Sequence, residues 1–255
     1  MKTLLKGNFT KSRKTNKLRR IFVLRVVKFR ADNMDNCDKN KKIIKTDSGN
    51  TVTIRNETES DYRAVENLVR ESFWNVYCPG CREHFVLKKM REDKNFIRQL
   101  DFVMEIDGEP IGQIVYVASE VDCGNGKKSP VLTFGPISIA PSFKRKGYGK
   151  MLLDYSLDKA KEYGATAVFI TGNIDFYGKS GFVPANSKGI IYDDDPDAEY
   201  FLVKELEEGF LERNKGVYRD PECYFVSEKY PEEFEKYEKT FPEKTKLKLP
   251  GQLFD

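Results

Sequence analysis

Apolar and polar positions change period several times between residues 51 and 205, and each change marks an element. Thr51 to Arg55 reads as a first strand. Glu59-Ser60-Asp61 then offers caps for an amphipathic helix running to about Phe73, with Val65, Leu68 and Val69 on one face. A second helix is predicted over Cys81 to Asp93, after a Pro-Gly turn. Asp101 to Ile106 and Pro110 to Val121 read as a hairpin around Asp107-Gly108, a pair suited to the left-handed backbone of a tight turn. The run Val131 to Ile139 is a further strand and ends at Ala140-Pro141. A helix to Tyr163 and a short β-branched strand over Ala165 to Thr171 follow. Gly181 to Tyr192 and Glu199 to Glu205 are predicted to close the sheet, with polar linkers at Asp32 to Asp47 and Asp122 to Ser129.

The junction after Val131 to Ile139 carries chemistry. A basic, glycine-bearing turn, Lys144-Arg145-Lys146-Gly147-Tyr148-Gly149, leads at once into Lys150-Met151-Leu152-Leu153. Strand, glycine turn and helix start together suit an anionic phosphate, because exposed backbone N–H groups and the positive end of the helix dipole meet there. Spacing excludes a Walker loop, and Leu152 stands where a dinucleotide fingerprint needs its third glycine. A basic surface turn ahead of a helix is the bland alternative. Downstream, Phe176-Tyr177-Gly178-Lys179-Ser180-Gly181-Phe182 ends in Gly-Phe, with Gly181 four residues after Tyr177.

The basic turn resembles the coenzyme A loop Arg/Gln-x-x-Gly-x-Gly/Ala of the GNAT acetyltransferases, with Lys144 at the position usually held by Arg or Gln. The Tyr177 segment resembles the same superfamily's Tyr-x-x-x-Gly-Phe signature. Phe134-Gly135-Pro136-Ile137-Ser138-Ile139, Gly172-Asn173 and Pro79-Gly80-Cys81-x-Glu83-His84 are similar to a bacterial branch of predicted N-acetyltransferases of the YhbS type. The resemblance covers about residues 50 to 190, and more weakly the tail. It implies an α+β fold with a mixed, mostly antiparallel central sheet, flanked by helices and opened by a β-splay. It also implies acetyl-coenzyme A as co-substrate, no metal, and acetyl transfer to an amine by direct attack.

On that resemblance the pantetheine arm is expected to pair with the edge at Ile137, Ser138 and Ile139. The pyrophosphate is expected on the turn from Lys144 through Arg145, Lys146, Gly147, Tyr148 and Gly149 to Lys150. Tyr177 matches the family position that protonates the departing thiolate, against the plain alternative of a ring that only packs. Phe176 stands where the branch often has a further Tyr. Glu83 and His84 are the candidates for the base, each with the alternative of an ordinary helix residue, and Glu105 and Glu120 have no better claim. Trp74, Phe73 and Tyr77 read as core and pocket lining. The rival functions are a non-catalytic acyl-coenzyme A binding module and a nucleic-acid-associated protein.

Composition adds bounds. The 255 residues are 33% charged and 39% apolar, and no run approaches the ~18 apolar residues needed to cross a bilayer, so a cytoplasmic protein without a membrane partner is expected. The net charge of +4 is unevenly placed: of 44 Lys and Arg, those in residues 1–33 face a single acid, Asp32, and the remainder is acidic overall. That arm is read as a nucleic-acid or membrane-surface tail, a transit peptide, a secretory signal weakened by Arg25 and Lys28, or an extension upstream of a start at Met34, the reading we favour. Cys78-Pro79-Gly80-Cys81 has redox or zinc-knuckle spacing but lacks a second pair to complete four ligands, so free thiols in a reducing compartment are expected. The division expected is an extension over 1–46, an acetyltransferase domain over 47–208 and a packed appendage over 209–255. A small-molecule amine is the expected partner, with a monomeric or homodimeric chain.

Overall fold

A sheet of ten strands organises the chain. The structure, a computed structural model, describes residues 40–45 and 49–253, so the basic arm, Met34 and Cys37 lie outside the described residues. In chain order the elements are β1 (Lys42–Lys45), β2 (Thr51–Asn56), α1 (Tyr62–Phe73), α2 (Glu83–Met90), β3 (Phe102–Ile106), β4 (Glu109–Asp122) and β5 (Lys128–Ile139). They continue as α3 (Tyr148–Tyr163), β6 (Ala167–Thr171), α4 (Ile174–Tyr177), β7 (Val183–Pro184), β8 (Ile190–Tyr192) and β9 (Phe201–Glu205). The tail adds α5 (Phe210–Arg213), β10 (Gly216–Tyr218), α6 (Val226–Lys229) and α7 (Pro231–Glu238). None of the helices described is long and apolar enough to cross a membrane.

The strand order is β1-β2-β3-β4-β5-β6-β9-β7, with β10 pairing β4 and β8. Pairing is antiparallel except at β5–β6 and β8–β10, the mixed sheet expected. Asp107 and Gly108 both take positive φ, 50° and 92°, as the hairpin joining β3 to β4 requires. One face of the sheet buries Leu152, Leu153, Leu157 and Ala160 of α3 against Ile54, Met104, Ile114 and Phe134. Val65, Leu68 and Val69 of α1 and Leu87 and Met90 of α2 pack with Val103, Val115 and Val117. A further cluster stacks Phe169, Phe201, Tyr192 and Tyr218, with Phe169 and Tyr218 ring centroids 5.0 Å apart.

Several expectations shift. Lys42 to Lys45 pair with β2, so sheet structure begins inside the segment read as an extension. Asp61 is the N-cap residue of α1, but its side chain makes no cap bond: its carboxylate accepts instead from Arg55 at 2.7 and 2.9 Å and from Thr58 N at 2.8 Å, the charge-assisted pair with Arg55 being the stronger bond. Gly181 to Tyr192 is not one strand. Pro184 cannot donate to a ladder, and a 3₁₀ turn over Ala185–Lys188 separates β7 from β8. The tail enters the sheet through β10, where Val217 faces Asp122 and Tyr218 faces Val121 of β4. Cys78 and Cys81 are free buried thiols, and burial holds the Cys81 thiol well above its ordinary range.

Candidate acetyl-transfer site

Two parallel strands part at the centre of the sheet. β5 and β6 share only Leu132↔Val168 and Thr133↔Phe169, while β5 stays paired with β4 out to Ile139. Beyond Phe134, one edge of β5 is therefore open. Ladder parity tells which groups face that opening. Ala140 N donates to Ile111 O at 2.8 Å, so Ser138 and Gln113 are a hydrogen-bonded pair, and Ile137 and Ile139 turn their main-chain groups away from β4. The carbonyl of Ile139 accepts from Ser72 Oγ at 3.0 Å. What faces the opening is thus the N–H and C=O of Ile137 and the N–H of Ile139. Ser138 differs from expectation: its main chain serves β4, and its buried hydroxyl has no partner among the described residues.

The turn after β5 is shaped for an anion. A 3₁₀ turn over Pro141–Phe143 leads to Arg145 and Gly147, both left-handed, with φ of 60° and 88°. Gly147 is the N-cap of α3 and contributes no side chain to it. The backbone amides of residues 145–150 have no hydrogen-bond partner among the described residues, and they gather at the positive end of a sixteen-residue helix. Gly149 lets the Phe176 ring approach, since a Cβ there would lie 3.4 Å from Cζ.

The loop cations divide. Arg145 is exposed, with no side-chain partner among the described residues. Lys146 stands 5.5 Å over the Phe143 ring, and Lys150 pairs with Asp154 one turn on. Lys144, exposed as a residue, donates from Nζ to Ser72 O at 2.7 Å, and burial of the ammonium lowers its pKa. That bond fastens the anion loop to the end of α1.

Tyr177 ends the short helix α4 beside the opening. Its ring packs edge-on against Phe134 and Phe176, with centroids 5.8 and 4.9 Å away. Gly172 is obligatory here: a Cβ would sit 2.4 Å from Tyr177 Cε2. The Tyr177 hydroxyl has no hydrogen-bond partner among the described residues. Burial, and secondarily the charge of Tyr77, raises its pKa, so the phenol keeps its proton at neutral pH.

Glu83 and His84 are neighbours in sequence and separate in space. Glu83, half-buried in the first turn of α2, accepts from Arg82 N at 2.9 Å and from Cys81 Sγ at 3.1 Å. His84 is fully buried, boxed by Phe234, Tyr237 and Phe241, with Nε2 2.9 Å from Glu238 of α7. A ring closed off in this way takes no proton from an incoming amine, and His84 is withdrawn as a base. Burial pushes Glu238 upward, but His84 and Arg70 outweigh it and hold the carboxylate below its ordinary range. Glu105 and Glu120 are engaged by Arg55 and Lys128. The sequence did not bring Tyr224 forward: its hydroxyl donates to Gly135 O at 3.2 Å, at the start of the opening, from within the tail. No motif surrounds Tyr224, and only the fold carries it there.

Comparison with known proteins places this geometry. The model of the Acetyltransferase (GNAT) family matches residues 66–182. An uncharacterized N-acetyltransferase of Methanocaldococcus jannaschii is 27% identical over 147 residues, covering 52% of this chain and 61% of that protein. The uncharacterized N-acetyltransferase YjhQ of Escherichia coli is 24% identical over 114 residues, 42% of this chain and 60% of its own length. The chain therefore spans about three-fifths of the length of these curated relatives. Among solved structures, the GNAT family N-acetyltransferase YhbS of Escherichia coli, in complex with CoA, superposes with a TM-score of 0.60 at 23% identity, over 68% of this chain and 91% of that one. A GNAT family acetyltransferase of Brucella melitensis, in complex with acetyl-CoA, gives 0.54 at 19% identity, over 68% and 97%.

Proposed function

We propose that the chain, which the model of the Acetyltransferase (GNAT) family matches over residues 66–182, is an acetyltransferase of that family and transfers the acetyl group of acetyl-coenzyme A to a primary amine by direct attack. The observation that carries this reading is the set of amides over residues 145–150, which have no partner among the described residues and follow a strand whose edge is open. The diphosphate of the coenzyme would take those amides with the Arg145 guanidinium. The relatives of known structure hold CoA and acetyl-CoA, which supports the same co-substrate here.

In this reading the pantetheine arm lies along β5 as an added strand, bonded by the outward groups of Ile137 and Ile139. The amine arrives as ammonium and gives a proton to Glu83, directly or through water. Its nitrogen attacks the thioester carbonyl, forming the C–N bond and a tetrahedral oxyanion that an outward N–H of β5 stabilises. Collapse breaks the C–S bond and the thiolate takes the Tyr177 proton; the cationic nitrogen gives up its surplus proton through water, which restores the Tyr177 phenol, and Glu83 releases its own proton to solvent. A raised phenol pKa suits this duty, because the group stays protonated until a thiolate is born beside it.

Calorimetric titration with coenzyme A tests the reading. The parent binds, and the double variant Arg145→Glu, Gly147→Glu loses at least about tenfold in affinity, through reversed charge and a strained φ. Equal affinity in parent and variant would remove the cradle from the argument. Binding without thiol release in the presence of any amine would favour a non-catalytic acyl-coenzyme A module.

A further inference from the structure

The tail returns to the site from outside. After α7, residues 240–253 run along the connection between α1 and α2. Trp74 Nε1 and Asn75 Nδ2 both donate to Thr245 O, at 3.0 and 3.1 Å. Leu247 N donates to Asn75 Oδ1 at 3.0 Å, Gln252 Nε2 to Asn75 O at 3.1 Å, and Leu253 N to Tyr77 O at 2.9 Å. Asn75 is the node, left-handed at φ 59°, and it also closes its own loop through Gly80 N at 2.8 Å. Apolar burial is confined to the start of the segment, at Phe241; Val76, Tyr77, Leu247, Leu249 and Leu253 are all exposed. Arg70 also donates to Pro242 O and Lys244 pairs with Glu71, so beyond Phe241 the segment is held by polar bonds, and such a segment opens more readily than a packed one.

The gripped connection leaves the last turn of α1, which is itself fastened to the open strand by Ser72 Oγ on Ile139 O and to the anion loop by Lys144 on Ser72 O. It carries Tyr77 and delivers Glu83. We propose that residues 240–253 are a positioning strap for the acceptor side of the site: clamped on Asn75, they hold the 74–83 connection against the opened strand, which places the amine and keeps water from the thioester. This rests on the acetyltransferase reading above. Asn75 touches no reacting atom in this scheme and acts through the connection it organises.

The test uses full-length protein carrying Asn75→Gly, which tolerates the left-handed backbone and deletes the clamp, alongside the milder Gln252→Ala. Trp74 is the chain's one tryptophan, so its emission reports release of the strap. Thiol release from acetyl-coenzyme A is measured without amine and with spermidine or phenylethylamine as acceptor probes. The expected result is a red-shifted emission with amine-independent thiol release raised by about tenfold, as an opened site admits water. The KM for acetyl-coenzyme A and the calorimetric Kd for coenzyme A stay at parent values. A red shift with unchanged amine-independent release overturns the strap, and so does a coenzyme affinity that falls in step with release. A parent that gives no heat with coenzyme A overturns the acetyltransferase reading and the strap with it.

Discussion

Tyr177 is held by packing on every side but its hydroxyl. Phe134, Phe176 and Phe182 fix the ring, and Gly172 yields room for it. Tyr177→Phe should therefore fold like the parent and lower kcat by about 10²-fold, leaving the KM for acetyl-coenzyme A nearly unchanged; steady-state thiol release measures both. A second residue-scale case is Asp101, fully buried beside the buried Glu57. Burial, then the charge of Glu57, raises its pKa well above the carboxylate range. An acid with a raised folded pKa favours folding only while protonated. Its contribution is intact below the unfolded value of about 3.9 and turns to a cost as pH rises past it. Asp101→Asn, which keeps a donor without the charge, should raise the melting temperature by about 2–4 °C at pH 8 and have no effect near pH 3. A calorimetric pH series decides. Single residues were the hardest scale to read from sequence. His84 has the composition of a base and the surroundings of a core residue, and those surroundings come from Phe234, Tyr237 and Phe241, about 150 residues downstream.

Elements were read better than residues where local chemistry decides them. The Asp107-Gly108 turn, the glycine turn before α3 and the apolar stripe of α1 each depend on neighbours in sequence. Pairing depends on distant strands, so the two-residue β7 and the ladder that turns Ser138 toward β4 were not legible. The β4–β5 ladder carries its own test. A Cβ on Gly112 would lie 2.6 Å from Ile139 Cδ1 and 3.2 Å from Ser138 O. Gly112→Ala should destabilise by about 1–3 kcal/mol. Adding Ile139→Val, which removes Cδ1, should restore part of that loss, so a double-mutant cycle by urea denaturation should give a favourable coupling. Additive losses would mean that the strain sits on the Ser138 carbonyl instead.

For the whole molecule, the tail after residue 208 packs on the sheet and supplies part of its core. About forty-five residues bury a core poorly alone, yet here they complete one. Tyr218 is fully buried between Phe169 and Phe201, and Glu238 meets both Arg70 and His84. A three-residue strand has no readable period, and its stacking partners lie in strands far away in sequence. A chain ending at residue 208 should lose cooperative thermal unfolding by near-ultraviolet circular dichroism, because it uncovers the buried Arg70 and His84 and removes Glu238, which pairs with both. A sharp transition at the parent temperature would restore the tail to the status of an ornament.

The placement of Glu238 also governs when the molecule becomes whole. Arg70 is made early and Glu238 about 170 residues later, so the guanidinium waits for that partner until at least residue 238 has been made. At translation rates of about 5–20 residues per second that interval is about ten to thirty seconds, a window in which the growing product is exposed to chaperones and proteases.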